Sequence, residues 1–409
     1  MAWFHFASLL FTVCSIVAAF DIQEKSNVVV YYSGSGLNQR PLSDYCGDNS
    51  IDILILSFVY LFPHQANGYP GIDFGNRCSK DRYAGPGFDT QKDTSKDKLL
   101  KCPDLQKDLQ ICRQAEKTIL LSLGGESTDY QLNGEQEGTN LAVQLWGMFG
   151  PRDSNWVSQG LPRPFDDGDT EFVVDGFDLD IEHKPDDNFA GYRAFVAKLR
   201  ELYDSADGTY YLTASPQCVV PDANMGEIIK AGTFDMVLVQ FYNTPACSAR
   251  RWVDANSNYV PGNPFDAAGF TFDDWVKFLA NTPSKDARVY IGVPASPAAA
   301  NKGNEISSAQ ARSLAAAYYC NTNFGGISIW SATYASSNVE DGKNFFQNAK
   351  ESLQALAADT RLPCYDPARA QPKQPSRVMV SGAATIHAFP IHGLRLRERV
   401  RHHLRLDVP

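Results

Sequence analysis

The 409-residue sequence predicts an α/β fold, a (β/α)8 barrel with loops pinned by disulfides. Three observations carry this expectation. Eight short apolar runs recur along the chain, as buried parallel strands covered on both faces require. Segments of helical periodicity alternate with them, the repeat that a closed barrel needs. No glycine-rich phosphate loop follows the first run, which sets aside the open dinucleotide-binding sheet.

The first strand reads as Asn27 to Tyr32 and ends at Ser33-Gly34-Ser35-Gly36. The second is Ile51 to Phe58. A long stretch rich in Gly, Pro and Asp follows, holding two cysteines, and fits a binding loop. Asp104 to Lys117 is a helix, with Leu105, Leu109 and Cys112 at i, i+4 and i+7. Thr118 to Leu123 is the third strand, turned by Gly124-Gly125. Asn140 to Phe149 is a helix, and Phe172 to Glu182 is the fourth strand. Tyr192 to Tyr203 is an amphipathic helix with Phe195, Val196, Leu199 and Leu202 on one face. Strands five to eight are Tyr210–Ala214, Phe234–Phe241, Val289–Val293 and Gly326–Trp330. Helices at Phe272–Leu279, Ser308–Tyr319 and Asn344–Ala358 fall among and after them. Residues 37 to 50 have too little periodicity to define the first barrel helix.

The fourth strand organises the rest. Alternation puts Phe177, Leu179 and Ile181 on one face and Asp178, Asp180 and Glu182 on the other, about 7 Å apart per two-residue step. A solvated strand face would mix Thr, Ser and Lys with its acids. Three carboxylates in file repel one another, and like charges in one site force at least one pKa upward. Such a column suits acid/base chemistry. Catalytic groups of a barrel come from the C-terminal ends of its strands. Glu182, at the end of its strand, is therefore the candidate general acid at the mouth, with Asp180 and Asp178 deeper and able to redistribute a proton.

The net charge of −10 argues against a nucleic-acid partner, and 44% hydrophobic residues supply a large core. The apolar run Phe6 to Ala19, ending Val17-Ala18-Ala19, reads as a signal peptide over residues 1–19. It is too short to span a bilayer comfortably, and no later segment is apolar enough, so a secreted protein without an integral membrane span is expected. Beyond Cys14, eight cysteines remain, an even number that suggests disulfides. No C-x-x-C pair marks a zinc site, and no metal or cofactor is expected. Residues 20–365 form the barrel. Residues 366–409 are a basic tail with eight Lys+Arg against three acids, expected as a disordered appendage, with contact to a wall or membrane surface as the alternative.

Asp175 to Glu182, D-G-F-D-L-D-I-E, resembles the D-x-x-D-x-D-x-E signature of glycoside hydrolase family 18, the chitinases. The resemblance covers about residues 25 to 360, and the cysteine order is similar to class III plant and fungal members. It implies an endochitinase acting on chitin or chitooligosaccharides as a monomer. By the same resemblance, Glu182 protonates the glycosidic oxygen and Asp180 holds the substrate's acetamido N–H. Tyr242, in Q-F-Y-N, donates to the acetamido oxygen, and Gln240 and Asn243 fix sugar hydroxyls or the acetamido group. Trp330 matches the aromatic floor, Tyr31 and Phe58 are further aromatic candidates, and Gly124, in S-L-G-G, leaves room for the sugar chain. The implied disulfides are Cys46–Cys112, Cys78–Cys102 and Cys218–Cys247, which leaves Cys320–Cys364. At the end of the first strand Tyr32-Ser33-Gly34 departs from the family's aromatic-Gly-Gln, so the outer subsite there is not carried over. Two alternatives share the barrel: an endo-β-N-acetylglucosaminidase acting on N-glycans, and a non-hydrolytic lectin or inhibitor.

Overall fold

Every residue of Asn27–Tyr32 (β1) is buried, because the strand is covered on both sides. Val28, Val30 and Tyr32 point outward into the layer between sheet and helices, whereas Val29 and Tyr31 point inward. The same two-sided burial governs the other strands. The structure, a computed structural model, describes residues 20–36 and 39–365; the expected signal peptide and basic tail lie outside the described residues.

Seven further strands complete the ring: β2 (Ile53–Leu61), β3 (Thr118–Gly125), β4 (Gly176–Ile181), β5 (Tyr211–Ala214), β6 (Met236–Gln240), β7 (Arg288–Pro294) and β8 (Phe324–Trp330). Each pairs in parallel with its neighbours in sequence. β8 then returns to β1, with Asn27 opposite Gly326, and closes the barrel. A two-residue strand, Gly71–Ile72, adds antiparallel to the end of β2.

Val29, Tyr31, Ile53, Ile55, Leu120, Met236, Leu238 and Tyr290 fill the interior. Phe20 and Ile22 pack against this cluster. The ring of Phe20 meets that of Tyr211, the first residue of β5, edge-on at 5.3 Å, so the N-terminal end of the barrel is plugged. The outer core is larger and takes the outward residues of every strand, including Phe177, Leu179 and Ile181, together with the inner faces of the helices.

The predicted helices occur at Pro103–Gln114, Glu135–Phe149, Ala190–Asp204, Phe272–Leu279, Ser308–Tyr318 and Phe345–Ala357. Short helices at Leu42–Cys46, Ser154–Ser158, Gly226–Ala231, Ala249–Ala255 and Ala332–Ser337 have no sequence counterpart, because one or two turns give no readable period. Among the described residues, no helix is long and apolar enough to cross a membrane.

The fourth strand is shorter than its sequence suggests. Phe172 to Val174 are not in the sheet: Val174 N–H donates to Phe149 O at 3.0 Å, and Phe172 packs on Phe165 in the outer core. The strand starts at Gly176, whose φ of +146° is open to glycine alone at this site, since a Cβ would strike the Tyr211 carbonyl.

All four disulfides join the expected partners, with Cα–Cα distances of 4.8, 4.0, 5.8 and 5.4 Å. Cys46–Cys112 ties the first short helix to the helix before β3. Cys78–Cys102 lies within the long β2–β3 connection, and Cys218–Cys247 joins the segments after β5 and β6. They hold connections between strands rather than the strands themselves.

Gly176→Ala is expected to destabilise the protein by about 3 kcal/mol, because the backbone would have to leave its register with β5. Thermal unfolding of the variant checks this; an unchanged midpoint would show that the strand entry tolerates a side chain.

Candidate active site

Pairing of β4 with β3 and β5 decides what surrounds the acids. Asp178 lies opposite Ser122 on β3 and Thr213 on β5. Being an inward residue of a packed ring, it is fully buried, and its carboxyl accepts four hydroxyls: Ser122 Oγ at 2.7 Å, Thr213 Oγ1 at 2.5 Å, Ser215 Oγ at 3.0 Å and Tyr31 OH at 3.2 Å. Burial raises its pKa and these hydrogen bonds oppose the rise.

Two residues on, Asp180 is 5% exposed. Its pKa is driven well up, first by burial and then by the charges of Glu182 and Asp178. Gln240 Nε2 donates to Asp180 Oδ1 at 2.9 Å and to Ser215 O at 3.0 Å. Glu182, just past the last rung of β4 at the C-terminal mouth, is partly exposed. Its pKa is also raised, by burial first and by Glu126 and Asp222, while Gln240 and Asp180 favour its charged form through hydrogen bonds. Two charged carboxylates so placed repel each other, which disfavours ionising Asp180 and Glu182 together. Facing them, Tyr242 is held in its phenol form by burial and by the charges of Asp180, Glu182 and Asp178, so it is available as a donor.

Above this group opens a cleft of about 480 Å3. Asp180, Glu182, Gln240, Tyr242, Gly124, Gly125, Phe58, Trp330 and Asn243 all line it. Trp330, at the end of β8, sits between Tyr31 and Phe58, with ring centroids 5.7 and 6.0 Å away. Gly124 has a φ of +110°, and a Cβ there would meet the Asp180 carbonyl.

Each sequence candidate therefore reaches one site, and Gln240 and Asn243 also have partners within the protein. Gln240 Nε2, donating to Asp180 and Ser215 O, braces the acid. Asn243 Oδ1 accepts from Asn301 N–H at 2.8 Å, and its own N–H donates to Asn304 Oδ1 at 3.0 Å; it fastens the wall after β7. Asp175, the first acid of the motif, lies outside the site, where it accepts from Arg113 at 3.0 Å and from Ile119 N–H at 2.7 Å. At the departure in β1, Asn76 Nδ2 donates to Gly34 O at 3.2 Å and occupies that corner. Thr213, Ser215 and Tyr130 were not foreseen. Thr213 and Ser215 repeat the two-residue period of the acids they serve, which was the available signal; Tyr130 lies in the loop after β3 and has none.

Carboxyl groups thus stand at the C-terminal mouth of a closed parallel barrel, beneath an aromatic-walled cleft. The family model of glycosyl hydrolases family 18 matches residues 27–322, and the chain belongs to that family. It is 40% identical over 354 residues to an endochitinase A of Aspergillus niger, covering 85% of this chain and 26% of that one. Among solved structures, a xylanase and α-amylase inhibitor protein from Scadoxus multiflorus has a TM-score of 0.56 at 26% identity, covering 80% of this chain and 97% of its own. A chitinase from Ipomoea carnea shares the fold with a TM-score of 0.58 at 24% identity, covering 80% and 99%. The chain spans only 26% and 35% of the curated endochitinases it matches first.

The raised pKa of Asp180 has a consequence for stability. Between the unfolded value, about 3.9, and the higher folded one, the native state binds more protons than the unfolded state, so stability falls as pH rises through that window. Asp180→Asn removes this loss. Its melting temperature should exceed the wild type's by roughly 2 °C at neutral pH and match it below about pH 4. Calorimetry at the two pH values checks this; an equal difference at both would contradict the assignment.

Proposed function

We propose that the protein is a secreted endochitinase that hydrolyses β-1,4 bonds between N-acetylglucosamine units with retention, by substrate-assisted catalysis. The observation that carries the reading is the file Asp178–Asp180–Glu182, running from the barrel interior to its mouth, with Asp180 and Glu182 lining one cleft with the phenol of Tyr242. Family 18 departs from the usual pair of carboxylates in that the substrate supplies the nucleophile.

In this mechanism Glu182 transfers its proton to the glycosidic oxygen as the bond breaks. The acetamido carbonyl oxygen of the sugar on the non-reducing side attacks its own anomeric carbon from the opposite face, closing an oxazolinium ring. Asp180 turns from Glu182 to the acetamido N–H and stabilises the positive charge there. The hydroxyls around Asp178 let it accept part of the displaced proton density. Tyr242 donates to the acetamido oxygen and fixes it for attack. Water, deprotonated by Glu182, then opens the ring and restores the anomeric configuration. Trp330, with Tyr31 and Phe58 against it, offers an apolar floor to the sugar face.

Asp180, Glu182 and Tyr242 in one cleft, with Asp178 buried beneath, favour hydrolysis over the inhibitor function of the Scadoxus protein on the same fold. The four disulfides support an extracellular setting. Incubation with chitin oligosaccharides and with a high-mannose glycoprotein separates the readings. Release from the first, with the β-anomer seen initially by NMR, supports the chitinase; release from the second alone points to an endo-β-N-acetylglucosaminidase, and binding without release to a lectin.

Glu182→Gln should lower kcat by roughly 10^2- to 10^4-fold while oligosaccharide binding, measured by calorimetry, is largely kept. Loss of binding with residual turnover would oppose the role. Because the pKa values of both Asp180 and Glu182 are raised, the alkaline limb of the kcat/KM profile should lie above the ordinary glutamate value of about 4.3. A limb at that ordinary value would show that the pair is not coupled in solution.

A further inference from the structure

We infer that Tyr130 is a positioning residue for Glu182, acting through the backbone at the end of β4; this rests on the reading of Glu182 as the general acid. The last rung between β3 and β4 pairs Gly125 with Ile181, so the N–H of Glu182 has no partner in the ladder. The phenol of Tyr130, fully buried, takes its place: Glu182 N–H donates to Tyr130 OH at 3.0 Å, and the same hydroxyl donates to Gly125 O at 3.0 Å. One side chain thus supplies an extra rung joining the strand ends on either side of the cleft floor. Gly124 belongs to the same joint, since a Cβ there would lie 3.0 Å from that hydroxyl.

A second bond fixes the following residue. His183 Nε2 lies 2.8 Å from Tyr130 O, and because a carbonyl can only accept, this nitrogen carries the hydrogen. The imidazole also packs on the Tyr130 ring at 4.4 Å between centroids, while Phe62 packs on another part of that ring at 5.4 Å. Glu182 is therefore held on both sides by one residue from a different connection. Its side-chain direction, which must serve both Asp180 and a leaving oxygen, follows from that backbone.

Glu182 also acts on water after the glycosidic bond breaks, a step common to all substrates, so the readout is kcat/KM, which reports the steps up to bond cleavage. In that step a general acid out of line hurts most the substrates that need its proton. Tyr130→Phe keeps the ring and its packing and removes the hydroxyl. On a chitin oligosaccharide, whose leaving alkoxide must be protonated, kcat/KM should fall roughly 10- to 100-fold. On a 4-nitrophenyl glycoside of di-N-acetylchitobiose, whose phenolate leaves with little help, the fall should stay below about threefold. Equal falls on both substrates, or none on either, would overturn the inference. Should Tyr130→Phe not fold, His183→Leu replaces it, with the same selective loss expected and the same equal loss overturning it. If the wild type cleaves neither substrate, it is the proposed activity that fails.

Discussion

The structure is governed by the cost of keeping carboxyl groups inside a closed apolar ring. Two aspartates stand on the inward face of β4, where water cannot solvate them, and a glutamate follows at the rim. An unpaired buried charge is expensive, so such groups either bind protons or gather donors. Both happen here. Asp178 draws four hydroxyls from β1, β3 and β5 with the residue that follows it, whereas burial and like charge push Asp180 toward its protonated form. Small polar residues on β3 and β5, the amide on β6 and the phenol on β1 are all answers to one electrostatic demand. The outward residues of β4 answer a different one, burying Phe177, Leu179 and Ile181 beneath the helices.

Much of this was legible in the chain because it rests on period. Buried strands need near-continuous apolar runs, and all eight were visible; so was the alternation that sends Asp178, Asp180 and Glu182 to one face. Helices of eight residues or more showed their stripe, while those of five to seven did not. What escaped was set by tertiary contact. Phe172 to Val174 have strand composition, yet the outer core claims them before Gly176 admits the chain to the sheet. Gln240 and Asn243 each also hold a neighbour, the one bracing Asp180 and the other accepting from Asn301 N–H in the loop after β7, contacts that no period announces.

The connections follow a separate logic. The stretch between β2 and β3 anchors itself in the outer core through Phe62, Phe74 and Leu99, and Cys78–Cys102 closes it locally while Asn67 and Asp97 cross-link it through a 2.7 Å hydrogen bond. The closed end of the barrel is served by Phe20 and Ile22, so chemistry and packing are kept at opposite ends of the same ring.

The cleft is also divided across its width. Its proton-handling groups come from β4 and β6, and its aromatic floor from β8, β1 and β2, on the far arc of the cylinder. Few bonds link the two arcs, Tyr31 to Asp178 and Ser215 being the principal ones. On the proposed function, adhesion to a saccharide and its scission draw largely on separate sets of residues. A lineage could lose the second by one or two replacements and retain the first, a short evolutionary step from enzyme to sugar-binding protein.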